Sequence, residues 1–76
     1  MTSFEKIKNI IAEQLSIDPV VIKPETTFEE VDADSLDVVE VIMAIESAFS
    51  VELPDSEVER FKNVGELSQF VDTLLK

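Results

Sequence analysis

Apolar residues recur along this chain at helical spacing almost throughout. Near the start, Phe4, Ile7, Ile11 and Leu15 follow one another at steps of three, four and four, with Ile10 beside them. Thr2 followed by Glu5 three residues later is a capping-box pattern, so a first helix opens there. It has to stop around Asp18-Pro19, because proline disfavours helical geometry in the residue before it. A long connection, SIDPVVIKPETTFEEVDA, comes next, and Val20, Ile22 and Phe28 are its expected anchors to the core. The pattern then predicts a second helix from about Ser35 to Phe49. Asp34 is its N-cap, and Val38, Ile42, Ile45 and Phe49 form its inward stripe. After the turn SVELP a short helix is expected near Ser56–Arg60. The last helix opens on the pair Asn63 and Glu66 and turns Val64, Leu67, Val71 and Leu74 inward, with Phe70 beside them. No segment alternates long enough to argue a sheet. The expectation is an all-α, small four-helix bundle with three main helices, one short helix and a long first loop.

Size and composition narrow this further. Seventy-six residues suit one domain, 1–76, and 45% hydrophobic residues are too many for a disordered acidic tail. A chain this short buries only about 60–65% of the surface its unfolded form exposes, so its stability margin is thin. The opening residues are amphipathic and mixed in charge, unlike a secretory signal. No run approaches the ~20 apolar residues of a membrane span. These features make a cytoplasmic protein the expectation.

Charge says more about partners. The formal net charge is −11, and no basic side chain lies between Lys23 and Arg60, a stretch holding twelve carboxylates. Such a field repels nucleic acid and anionic membranes, and it draws in partners with basic patches. Acidic surfaces also simply keep small proteins soluble.

The chain has no Cys and no His, which removes the thiol nucleophile, the usual general base and the customary zinc ligands. Counting Asp32 as the first position of an EF-hand loop puts Asp37 where Gly is required and Met43 where the closing Glu belongs, so no metal site is read there. The sharpest feature is Asp34-Ser35-Leu36-Asp37. A serine at the first helical position sits among unpaired N–H groups, where the helix dipole favours an anion by roughly 0.3–1 kcal/mol. Ordinary capping explains the same tetrapeptide. A catalytic serine needs an adjacent base, normally His, and the nearest lysine in sequence, Lys23, is far off, so if Ser35 does chemistry something else has to act on it. On a helical wheel Leu36, Glu40, Met43 and Ser47 lie opposite the buried stripe, leaving Leu36 and Met43 as apolar spots ringed by charge.

Taken together, FEKIKNIIAEQL, then ADSLDVVEVIMAIESAFSVELPDSE, then VGELSQFV resemble the acyl carrier proteins of dissociated (type II) fatty acid synthesis. The resemblance runs essentially the full length and is most specific from Ala33 to Pro54. It implies a carrier, not an enzyme: Ser35 receives 4′-phosphopantetheine from coenzyme A through a phosphopantetheinyl transferase. The thiol of that arm supplies what a Cys-free chain lacks. It further implies that Asp34, Leu36, Asp37, Glu40, Met43 and Glu46 face the basic docking patches of fatty acid synthesis enzymes. The acyl chain would shelter among Phe28, Val38, Ile42, Ile45, Leu53, Val58, Phe61, Leu67 and Phe70, in a monomer. One departure stands out: Asp32 occupies a place where such proteins commonly have Gly. Aspartate tolerates left-handed geometry better than most residues, so the turn there should still form. A carrier for a polyketide or other specialised pathway, or a non-covalent acidic interaction module, are the alternative readings.

Overall fold

The computed structural model describes residues 2–54 and 60–75. Among these it contains three α-helices, α1 (Ser3–Leu15), α2 (Ser35–Phe49) and α3 (Val64–Leu74), and one 3-10 turn, Pro19–Val21. No strand occurs among the described residues. Val58 and almost all of the short helix expected near Ser56–Arg60 lie outside them.

Each helix starts where a short polar side chain can take an N–H that the helix leaves orphaned. Thr2 Oγ1 accepts from the Glu5 amide at 3.1 Å, Asp34 Oδ1 from the Asp37 amide at 2.9 Å, and Asn63 Oδ1 from the Glu66 amide at 2.8 Å. The helix ends are less expected. α1 stops at Leu15, short of the Asp18-Pro19 pair. Ser16 turns left-handed (φ 57°), its amide donates to Glu13 O, and the Ile17 amide reaches back to Ala12 O. That pair of bonds is a Schellman closure, which satisfies carbonyls the helix has left over. α2 ends in the same manner, with Ser50 at φ 56° and the Val51 amide on Glu46 O.

α1 packs against both α2 and α3. Lys6 Nζ lies 5.7 Å from the centre of the Phe49 ring, so the start of α1 meets the end of α2 and the two run antiparallel. Ile7 and Ile11 of α1, Val41 and Ile45 of α2, and Leu67 and Val71 of α3 are completely buried in the core between them. Two details correct the expected stripes. The inner face of α2 is centred on Val41, Ile42 and Ile45, with Val38 and Phe49 half-buried at its edges. The stripe of α3 closes at Val71, because Leu74 lies on the last turn and is exposed.

The long connection is fastened mainly by its backbone. Ile22 is buried and Phe28 half-buried as expected, but Val20 is 72% exposed, on a 3-10 turn capped by Asp18. The fastening comes from the start of α3, whose free amides donate into the connection: Val64 N to Thr26 O at 2.9 Å and Gly65 N to Pro24 O at 2.7 Å. Buried Thr26 holds the bend by accepting from the Lys23 amide. A Cβ on Gly65 would lie 2.9 Å from Pro24 O, so this position requires a residue without one.

Candidate functional site

The approach to α2 is a single capped turn. Glu30 accepts from the Thr27 amide, and the Thr27 hydroxyl accepts from the Glu30 amide, each at 3.2 Å. The turn closes on Asp32, whose φ of 57° lets its amide reach Glu29 O while the Ala33 amide reaches Phe28 O. This is the Schellman arrangement again, with aspartate where glycine is easiest. The left-handed turn anticipated at Asp32 therefore forms, and it leads the chain straight into the cap of α2.

At that cap, two carboxylates that would otherwise crowd Ser35 are bound to backbone. Asp34 takes the Asp37 amide and Asp37 Oδ2 takes the Asp34 amide at 3.3 Å, a reciprocal capping box. The amides of Ser35 and Leu36 are left without partners among the described residues. Ser35 itself is exposed, and its hydroxyl likewise has no partner among those residues. The exposed hydroxyl thus stands beside two idle N–H groups at the positive end of a fifteen-residue helix, where an added anion is favoured.

The outward face of α2 is more apolar than the sequence wheel indicated. Leu36 (66%), Val39 (52%) and Met43 (61%) are all exposed, so three large apolar side chains share it with exposed Glu40 and Ser47. Val39 went unnoticed because the buried stripe was centred on Val38; the step of three from Leu36 was the available signal. Asp34 also faces solvent. Three of the six residues expected on this face bond a carboxylate to backbone, Asp34 among them through the capping box. Asp37 is half-buried in the capping box. Glu46 is half-buried and turns its carboxylate back to the Leu53 amide, 2.8 Å away.

The residues named for an acyl shelter divide into two sets. Ile42, Ile45, Leu53 and Leu67 are buried and belong to the closed core. Val38, Phe28, Phe61 and Phe70 are half-buried at its margin. Phe61 and Phe70 pack as tilted rings with centroids 5.3 Å apart. Phe61 is also shared by two shallow depressions, one lined by Phe28 and Lys62, the other by Phe70 and Gln69. Neither depression is lined by Ile45 or Leu67.

The chain is acidic, all-helical among the described residues, and offers an exposed serine at a helix mouth, the kind of place where a group can be attached covalently. Comparison with known proteins agrees. The family described as "Phosphopantetheine attachment site" matches residues 5–71. Similar proteins include the acyl carrier protein of Helicobacter hepaticus, 47% identical over 95% of this chain and 96% of its own length. Those of Thermosynechococcus vestitus (51%, over 90% of this chain and 85% of its own) and Clostridium acetobutylicum (49%, over 90% of each) are further examples. The chain belongs to the acyl carrier protein family, whose covalent prosthetic group is 4′-phosphopantetheine. No helix among the described residues is long and apolar enough to cross a membrane.

Proposed function

We propose that this protein carries the growing acyl chain of fatty acid biosynthesis on a 4′-phosphopantetheine attached to Ser35. The observation that carries this reading is the exposed Ser35 hydroxyl beside the two unengaged amides at the mouth of α2. The group supplies a terminal thiol able to form thioesters; the chain supplies its attachment and its address. Ser35 Oγ holds the phosphate, the amides of Ser35 and Leu36 and the helix dipole favour its charge, and Asp34 and Asp37 keep that mouth open by bonding to each other's backbone. The chain has no His, the usual base for a serine, and both carboxylates beside Ser35 are bonded to backbone, so a separate transferase performs the attachment.

Docking follows from α2. Leu36, Val39 and Met43 are an apolar strip edged by Asp34 and Glu40, suited to partners that present a basic rim around an apolar centre. The acyl chain enters between the helices by displacing the margin set by Val38, Phe28, Phe61 and Phe70, toward Ile42, Ile45, Leu53 and Leu67. The chain works as a monomeric single domain in the cytoplasm, alongside the enzymes of fatty acid synthesis.

The test is an intact mass after incubating the apo chain with coenzyme A and a phosphopantetheinyl transferase. The wild type should gain one phosphopantetheine and Ser35→Ala none. A wild type left unmodified by several transferases would overturn the assignment.

A further inference from the structure

Glu46 holds the turn that follows α2. Its main-chain oxygen accepts from the Ser50 and Val51 amides, and its carboxylate accepts from the Leu53 amide at 2.8 Å, so three of the four amides from Ser50 to Leu53 end on this residue. The side-chain bond spans seven residues and fixes what the two backbone bonds do not: the place of Leu53, which is 4% exposed within the same buried cluster as Ile42 and Ile45. A carboxylate accepting an amide hydrogen is a charge-assisted bond, roughly twice as strong as a neutral one.

We propose that Glu46 is a positioning residue for the carried acyl group. By holding the Leu53 amide it keeps the Leu53 side chain against Ile42 and Ile45, as a wall behind which the acyl chain is kept from water. Without that acceptor the segment from Val51 to Pro54 swings outward and the wall opens. This role rests on the reading that the acyl chain shelters beside Ile42, Ile45 and Leu53.

Reach and charge can be separated by substitution. Glu46→Gln keeps an acceptor of the right length but loses the charge. Glu46→Asp keeps the charge but is one methylene short, and Glu46→Ala loses both. The probe is a pantetheine tipped with an environment-sensitive fluorophore, loaded onto Ser35 of the full chain. Emission should be blue and bright in the wild type and in Glu46→Gln. It should fall toward that of the free dye in water in Glu46→Asp and Glu46→Ala. In parallel, exchange of the Leu53 amide should speed up roughly tenfold in Glu46→Asp and Glu46→Ala, and far less in Glu46→Gln.

Wild-type emission and Leu53 protection in Glu46→Asp would overturn the inference, as would equal dimming in Glu46→Gln, which would make charge the active property. A wild type that loads but stays dim removes the shelter and this role with it. A wild type that does not load refutes the Ser35 assignment itself.

Discussion

Among the described residues three, Ser16, Asp32 and Ser50, sit at positive φ, and none of them is glycine. Each closes a Schellman-type turn, where an L-residue costs roughly 1–2 kcal/mol relative to its favoured geometry. Glycine would relieve that strain but would add freedom to the unfolded chain, returning about 0.4–1 kcal/mol of the gain. Replacing Ser16 or Ser50 by Gly should therefore stabilise the fold by about 0.5 kcal/mol each, a rise in melting temperature of about 2–4 °C. Asp32→Gly should gain less, since aspartate already tolerates the conformation, while removing one carboxylate close to Ser35. Thermal melts of the three single variants check this; a lower melting temperature in all three would mean that these side chains contribute more than their strain costs. The sequence marked Asp32 because the acyl carrier resemblance implies glycine at that place. Ser16 and Ser50 were not legible, because serine at a helix end reads equally well as a solvent-facing residue in a turn.

At the scale of the element, α2 was the most readable part of the chain. Its limits, Ser35–Phe49, and its cap at Asp34 follow from local chemistry alone. What local chemistry could not supply was the exact rotation of its buried face, which depends on how α1 packs against it and brings Val41 inward. The anchoring of the long connection was invisible for a related reason: it is made by backbone groups of Pro24, Thr26, Val64 and Gly65, and backbone bonds between distant segments leave no side-chain pattern. Gly65 is the exception that leaves a trace. Gly65→Ala forces a Cβ toward Pro24 O, an overpacking cost of about 1–3 kcal/mol, and in the first turn of α3 little helix propensity is gained in return. Urea unfolding should show a lower midpoint with an unchanged slope. Asp34→Ala should cost about 1 kcal/mol by removing the α2 cap, yet leave Ser35 open to modification. Its test is the same melt together with the intact mass. Failure to load would indicate that the transferase needs that carboxylate.

Across the whole molecule, charge sets the balance. Twelve carboxylates lie between Lys23 and Arg60 with no basic residue among them, in a chain whose net charge is −11. Self-repulsion of this kind is screened by salt, with a Debye length near 30 Å at 0.01 M falling to about 8 Å at 0.15 M. Melting temperature should rise with added salt or divalent cations; indifference to both would show that the charges are too dispersed to oppose folding. The proposed site stands out at this scale by contrast with what the chain lacks. The chain has no Cys or His, and of its exposed serines among the described residues Ser35 alone stands at the start of a helix. The residues proposed for the acyl shelter have no pattern of their own in the sequence, because Ile42, Ile45 and Leu67 serve a closed core equally well.

The joint between the first connection and α3 gives this fold an internal gauge. The hydrogens on Val64 and Gly65 are covered by carbonyls belonging to the strap of residues that leads toward Ser35. They can trade with deuterium only when that strap lifts. Watching two amide signals at the far end of the sequence thus reports whether the path into the serine is seated or loose, with no label placed near the serine itself.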